Sequence, residues 1–471
     1  MARAIGEKRV VSLNAFVCDQ RGTFAGRMKI SFLIPTKNRL DLLKSAVSSI
    51  LAQSDLEFEI IVSDNASQED YSSFIDSLHD PRIIYRRLPE PVSVTRNWRN
   101  ALTLSSGDYI LMLGDDDALA PRFGEIVKPF LATAPDIIYL AAYHYAYPGA
   151  LDFKPAGYLA VVRNSEFQTK AVDAFCLTKS YAKELAASVL DFRYRFGFNA
   201  QYFLLKSSFA KKFDERGGLY QSPYPDTFSA IVAFSQAQSI VVVPREAVII
   251  GIAPNSFGAY YFSKQYKDGF RFLATEKEDI ELRRSLEEVI LPGDPNNTNW
   301  LISAEAAKRL IPSSANITVN IARYRALQMI AVLRERYLTR RISDQDVNHL
   351  RSKLSDQEAL PFGLLKAAIA EASQVDEVVL SEMFASIDKA LDQFVKAKIR
   401  FIDIGSHQTV DDAVAWLARE PEVLLNDDES SERAEKNLIG ERAGLIATAI
   451  YQLQGILRPS FRGRLQADKT K

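Results

Sequence analysis

The sequence predicts an α/β fold with a mostly parallel sheet, followed by an α-helical region, and three observations carry that expectation. From Lys29 onward, short β-branched and aromatic runs alternate with longer segments of helical period, the order of successive βαβ units. The run Asp108 to Leu113 is almost wholly apolar, as strands buried in the middle of a sheet are. After Pro254 the strand signals thin out and apolar residues recur every three or four positions.

Taken in order, Ile30 to Ile34 is the first strand. Asp41 to Gln53 follows as a helix with Leu43, Val47, Ile50 and Leu51 on one side. Phe58 to Val62 is a second strand ending in Ser63 and Asp64, with a polar helix over Ser67 to Leu78. Ile83 to Arg87 is a third strand. Prolines 89 and 91 then break the chain before a helix over Val94 to Leu104, which Gly107 closes off. Asp108 to Leu113, Ile137 to Tyr145 and Ile240 to Pro244 complete the strands, with a helix over Lys179 to Leu190. Ser303 to Leu310, Ile321 to Leu338, Glu358 to Ala372 and Val378 to Val395 are the helices of the second part. The boundaries expected are an extension over 1–27, a sheet domain over 28–255, a connection over 256–300 where LPGDPNN lies, and a helical domain over 301–471. The charged stretch Asn426 to Lys436 reads as a linker.

Composition excludes several classes. With 58 basic and 59 acidic side chains the net charge is −1, which lacks the basic footprint of a nucleic-acid binder. Two cysteines, Cys18 and Cys176, and four scattered histidines make neither a disulfide framework nor a zinc site. They read as unpaired thiols in a reducing compartment. The first twenty residues lack a small-residue cleavage site, and no apolar run approaches the length of a membrane span. A cytoplasmic location is therefore expected.

Ligands of an open α/β sheet bind beyond the carboxyl ends of its strands. Pro35 to Arg39, Asp64 and Asp115 to Asp117 all fall at such ends. Three adjacent carboxylates repel one another unless a cation relieves them, and Mg²⁺ typically takes one or two carboxylates while substrate phosphates complete its shell. The competing reading is a turn that caps the helix starting near Pro121. Asp64 at a strand end suits a nucleobase or ribose, since a carboxylate accepts hydrogen bonds.

These segments, ISFLIPTKNR, IIVSDNAS and TRNWRNALTLSSGDYILMLGDDDAL, resemble the inverting glycosyltransferases of family 2, with the GT-A fold, over about residues 28 to 255. The resemblance implies that Pro35, Thr36, Arg39 and Asp64 hold the base and ribose of a nucleoside-diphosphate-sugar donor. It matches Arg96 and Asn97 to the family's Arg-Asn pair, and Asp115, Asp116 and Asp117 to its Asp-x-Asp signature. Asp115 and Asp117 are the metal ligands expected for Mn²⁺ or Mg²⁺. Gly114 stands where the family commonly has an acidic residue, so the register of that signature can shift by one. The catalytic base is expected about a hundred residues later, and in SPYPDTFSA it is Asp226, with Asp191, Asp214 and Glu215 in reserve. A neighbouring apolar run would raise the Asp226 pKa; its competing role is to cap a helix over Thr227 to Ser235.

The resemblance further implies a glycan or lipid-linked acceptor and bacterial surface polysaccharide assembly. The helix Ile321 to Arg341 carries six arginines, and Arg458, Arg462 and Arg464 make a basic tail. Both suit an anionic acceptor or the inner membrane face, although for the helix a solvated face on a core-packing helix is the favoured reading. FIDIGSH at 401–407 lacks the further glycines of a methyltransferase cofactor loop. A nucleotidyltransferase of similar fold would want a glycine-rich basic loop near the first strand, which IPTKNR does not supply. A non-catalytic glycan- or nucleotide-binding module is the remaining rival.

Overall fold

The computed structural model describes residues 9–12, 28–169, 171–274, 276–311 and 318–419. Its strands are, in chain order, β1 Val10–Ser12, β2 Lys29–Thr36, β3 Glu57–Asp64, β4 Ile83–Arg87, β5 Tyr109–Met112, β6 Ala118–Leu119, β7 Ile137–Ala146, β8 Tyr158–Arg163, β9 Phe175–Leu177, β10 Phe203–Lys206, β11 Ile240–Ile252 and β12 Lys398–Ile402. They form one sheet whose main path runs β1-β9-β11-β7-β10-β5-β2-β3-β4. The four strands β4, β3, β2 and β5 are parallel. β10 enters antiparallel between β5 and β7, and β7 pairs in parallel with β11. A parallel half continued through one reversed strand is the GT-A arrangement that the resemblance implies.

Burial explains why these runs are strands. Phe32, Leu33, Ile34, Ile60, Ile61, Val62, Ile110 and Leu111 have no exposed surface, so both faces of the parallel half are covered. The helix Leu40–Leu51 covers part of it with Leu43, Ala46, Val47 and Ile50. Its apolar spacing of three and four is what selects helix over strand there. β11 runs eight residues past the expected end at Pro244, because its register to β7 shifts between Val242 and Glu246. A bulge at that point lets the strand pass a proline that has no N–H to give.

The helices of the second part lie at Pro295–Lys308, Ile321–Tyr337, Asp344–Ser352, Asp356–Val375 and Glu377–Leu391. They are not packed apart from the sheet, because one apolar core is continuous from Ile30 to Leu391. Trp300 donates Nε1–H to the Val189 carbonyl at 2.9 Å and lies against the rings of Phe192 and Phe198, at 5.6 and 5.7 Å. The expected all-helical run over 301–471 is also interrupted: the chain returns to the sheet at β12, which pairs with β8, and the helix Val410–Arg419 packs on Leu40–Leu51. β12 reads KIRFI with alternating exposure, and five residues were too few to stand out from the helical signal before them.

The arginines of Ile321–Tyr337 do not present a free basic face. Arg325 pairs with Glu358 through bonds of 2.6 and 2.7 Å, Arg336 with Asp344 through two of 2.9 Å, and Arg334 with Asp388. Arg323 is buried and donates to the Leu391 carbonyl. Four of the six arginines of Ile321 to Arg341 thus meet groups of the chain itself, while Arg340 and Arg341 are exposed. Among the described residues no helix is long and apolar enough to cross a membrane. Cys176 is buried and burial pushes its thiol up to about 12, which makes it unreactive. Cys18, the extension 1–27 apart from Arg9–Ser12, the linker 426–436 and Arg458, Arg462 and Arg464 lie outside the described residues.

Candidate active site

The carboxyl ends of β2 and β5 open onto a cavity of about 1460 Å³. Its wall includes Pro35, Thr36, Arg39, Asn97, Asp115, Asp116, Asp117 and Asp226, eight of the ten residues singled out from the sequence. The loop after β2 is stitched to the loop after β3: Asn38 accepts from the Gln68 amide at 2.8 Å and donates its own amide to Ser67 Oγ at 2.9 Å. Asn38 sits at φ 52°, a left-handed conformation that asparagine tolerates better than most residues. That turn aims the next side chain, Arg39, into the cavity.

Arg39 binds Asp115 Oδ1 at 2.5 Å and Asp116 Oδ2 at 3.2 Å, while Thr36 donates its hydroxyl to Asp115 Oδ2 at 2.7 Å. Burial works against the guanidinium charge, but Asp115 and Asp116 outweigh it and hold its pKa above the ordinary arginine value. Asp117 is held from three sides. Its Oδ1 accepts from the Gly251 amide at 2.8 Å, and its Oδ2 from the Gly114 amide and Gln201 Nε2, both at 2.6 Å. Burial and the neighbouring Asp116 push Asp117 up to about 7; burial also pushes Asp115 up to about 6, against the pull of Arg39.

The glycine at 114 has a physical reason here. A Cβ at that position would stand 2.8 Å from Asp117 Oδ2 and 2.9 Å from Asp116 Oδ1, and Asp117 is too firmly pinned to give way. Gly251 is tighter still, since a Cβ there would meet the Asp116 carbonyl at 1.8 Å. The carboxylate loop therefore lies directly against β11.

These contacts bear on the expected ligand pair, Asp115 and Asp117. Among the described residues no group of three or more His, Cys, Asp or Glu side chains forms a metal cage. Both oxygens of Asp115 and both of Asp117 are engaged, whereas Asp116 Oδ1 accepts no hydrogen bond from the described residues. Three carboxylates against one guanidinium still leave the cluster negative. The donor set suits a divalent ion shared between the cluster and substrate phosphates, and Asp116 Oδ1 is the oxygen of the three carboxylates with no hydrogen bond among the described residues.

Asp226 stands in the first turn of the helix Pro225–Gln236 but does not cap it; its Oδ1 accepts from the amide of Ala200 at 2.7 Å. Burial pushes its pKa up to about 7, and the Ala200 amide offsets only part of that. Ala200 and Gln201 are consecutive in the 3-10 turn Ala200–Tyr202. One turn therefore holds Asp226 with its first residue and Asp117 with its second, which fixes the spacing of two carboxylates from distant parts of the chain.

Two expected residues are outside the cavity wall. Asp64 is fully buried; its Oδ1 accepts from the Ser67 amide at 2.8 Å and its Oδ2 from the Tyr85 hydroxyl at 2.8 Å, so its acceptors serve the β3–β4 corner and not a nucleoside. Arg96 is exposed, because adjacent helical residues point about 100° apart and Asn97 takes the inward position. Asn97 is buried and exchanges hydrogen bonds with Ser63, at 2.7 and 3.0 Å. Of the reserves, Asp191 accepts from Asn320 at 2.5 Å and pairs with Arg193 at 2.9 Å, and Asp214 and Glu215 are exposed. Sequence reasoning missed Gln201, His144 and Asn164. His144 was the findable one, a lone imidazole in the apolar run IIYLAAYHYA of β7.

Residues 31–185 match the family model described as glycosyl transferase family 2. The abequosyltransferase RfbV of Salmonella typhimurium is 38% identical over 115 residues, which is 23% of this chain and 34% of that protein. The GalNAc(5)-diNAcBac-PP-undecaprenol beta-1,3-glucosyltransferase of Campylobacter jejuni is 38% identical over 96 residues, 19% of this chain and 30% of that protein. The chain thus spans about a third of the length of these curated relatives. The crystal structure of S. aureus TarS 1–349 aligns over 69% of this chain and 90% of its own, at 14% identity and a TM-score of 0.37. The matched segment, residues 31–185, takes in the strand-end motifs around Pro35, Asp64 and Asp115 to Asp117, so it is in this stretch that the chain is similar to glycosyl transferase family 2.

Proposed function

We propose that the protein transfers a sugar from a nucleoside diphosphate donor to a hydroxyl of a glycan or lipid-linked acceptor, with inversion at the anomeric carbon. The observation that carries this reading is the tether between Ala200–Gln201 and the two carboxylates, Asp226 and Asp117, in one cavity. Pro35, Thr36, Arg39 and Asn97 flank the donor end, and Asp116 with the donor diphosphate would hold Mn²⁺ or Mg²⁺ there. Such a cation supplies charge to the departing diphosphate. Asp226 acts as general base: it takes the proton of the acceptor hydroxyl while that oxygen bonds to the anomeric carbon and the bond to the diphosphate breaks. A carboxylate raised to about 7 is suited to that work, since its conjugate acid is then close to neutral pH. Assembly of a bacterial surface polysaccharide is the setting that the undecaprenol-linked substrate named for the Campylobacter relative supports.

The test is a thermal-shift and calorimetric screen of UDP, GDP, CDP and dTDP and their sugars, each with and without Mn²⁺ or Mg²⁺. A ligand at a hundred times its Kd stabilises the native state by about 2.7 kcal/mol. A metal-dependent rise in Tm with one nucleotide, and slow hydrolysis of its sugar, are expected. No shift with any of them would overturn the reading.

A further inference from the structure

The cavity reaches past the carboxylates to a group of polar side chains that the transfer chemistry does not use. His144 of β7 bonds through Nε2 to the Tyr202 hydroxyl at 2.9 Å, and Asn164, just after β8, donates Nδ2–H to the hydroxyls of Tyr202 and Tyr194 at 3.2 and 3.3 Å. His144, Asn164 and Tyr194 line the cavity. The Asn164 Oδ1 is buried without a partner. That oxygen lies toward Gly197, so Asn164 meets the cavity through the amide end that it shares with Tyr194 and Tyr202. Burial lowers His144 to about 4, which keeps it neutral, with Nε2 on Tyr202 and Nδ1 left to give or accept according to tautomer.

The opposite wall comes from the second part of the chain. The segment from Asp392 to Ile402 crosses over Tyr194, whose amide donates to the Gln393 carbonyl at 2.6 Å and whose carbonyl accepts from Val395 at 2.8 Å, before it joins β8 as β12. Phe394, Ile399 and Phe401 of this strap line the cavity and yet are 58%, 55% and 55% exposed. Phe401 meets the Tyr158 ring edge-on at 5.3 Å, and Phe394 faces the Tyr194 ring at 6.1 Å. Aromatic faces at a mouth, with neutral hydrogen-bonding groups behind them, match a pyranose, whose C–H face packs on a ring while its hydroxyls both give and accept hydrogen bonds. Lys154, whose ammonium lies 4.8 Å from the centre of the Phe401 ring, adds a donor for a sugar hydroxyl at the same mouth.

We propose that His144, Asn164 and Tyr194, closed over by Phe394 and Phe401 of the strap, form a saccharide subsite that takes a sugar ring of the acceptor. The proposal rests on the transferase reading only for the word acceptor, and it places the strap as the part of the second half that contributes to specificity.

Saturation-transfer NMR on the full chain tests it, with the methyl pyranosides of glucose, galactose, mannose and N-acetylglucosamine as probes. At least one glycoside should give a signal in the wild type that falls about fivefold or more in Asn164→Ala and in Phe401→Ala, the worth of one lost contact. Nucleotide affinity should stay as in the wild type. Phe401 is half exposed, so its variant carries the test if Asn164→Ala does not fold. Absence of signal from all four glycosides, or equal signals in wild type and Phe401→Ala, would overturn the subsite. Loss of nucleotide-sugar affinity in the variants, with the glycoside displaced by nucleotide-sugar, would assign the subsite to the donor's sugar and overturn the acceptor claim. Glycoside binding that obeys the prediction in a protein that binds no nucleotide would support the subsite and sink the transferase reading alone.

Discussion

At the amino ends of the parallel strands, Glu59 is buried beside Lys29 at 2.5 Å and accepts from Ser31 Oγ, the Ser106 amide and Ser106 Oγ at 2.6 to 2.7 Å. At their carboxyl ends, Asp226 has one amide and, among the described residues, no cation, and Asp117 has three N–H donors beside a like charge. Burial acts to raise all three. It is overcome at Glu59, whose pKa falls to about 2, and prevails at Asp226 and Asp117, which rise to about 7. A lysine and three hydrogen bonds thus hold Glu59 ionised at one end of the sheet, whereas at the other Asp226, with a single amide, keeps the raised pKa that suits work on a substrate.

The largest effect expected is at Asp226. Asp226→Asn should lower turnover about 10² to 10⁴-fold with nucleotide affinity unchanged, since a base acts in the transition state and not in donor binding. Wild-type turnover should rise with pH through about 7, as the base loses its proton. The stability sign is opposite. A carboxylate whose pKa is raised from 3.8 to about 7 contributes stability below 3.8 that is lost as pH climbs through 7. Asp226→Asn should therefore flatten the fall in Tm over that window. A variant that keeps its turnover would break the contrast between the two ends.

Glu59→Gln is the mirror experiment. Its folded pKa is depressed from 4.5 to about 2, so its contribution is present above 4.5 and is lost as pH falls toward 2. The variant should lose about 2 to 3 kcal/mol in urea unfolding at neutral pH, leave nucleotide affinity untouched, and show a weaker acid dependence. If it instead lost nucleotide binding at full stability, the amino end would not be merely structural.

Much of this contrast was legible in the sequence, and what was not has a common cause. The run YILM ahead of the carboxylates and the βαβ order locate the cavity end of the sheet, because both are local patterns. Asp64 looked like a ligand on the same grounds, but Tyr85 of the next strand and the Ser67 amide take its oxygens, and the Tyr85 partner is set by register. β10 and β12, of four and five residues, are likewise made by the partners they pair with and not by their own propensity.

A smaller effect separates the adjacent aspartates. Asp116→Ala should abolish the metal-dependent part of nucleotide affinity, roughly 10 to 100-fold, with the Tm of the free protein little changed. Asp117→Ala should chiefly lower Tm, because it strands the amides of Gly114 and Gly251 and the amide of Gln201. Calorimetry and thermal melts on the two variants decide between them. The reverse outcome would return the metal to Asp117, as the sequence motif alone suggests.

The smallest effect comes from Arg96, and it asks whether helix phase or motif membership decides what a residue does. Arg96 and Asn97 share a motif and one helix, yet the first faces solvent and the second ties that helix to Ser63 at the end of β3. Arg96→Ala removes an exposed side chain whose backbone N–H, bonded to Ser93 Oγ at 3.0 Å, is kept. It should change both stability and nucleotide affinity by less than about 0.5 kcal/mol. Asn97→Ala removes both side-chain hydrogen bonds to Ser63 in a buried corner, and should cost about 1 to 3 kcal/mol of stability. It should also weaken nucleotide binding, as the cavity wall there loosens. If Arg96→Ala weakened nucleotide binding as much as Asn97→Ala, the helix would have to turn or shift when the donor binds, and the free cavity would differ from the occupied one at this edge.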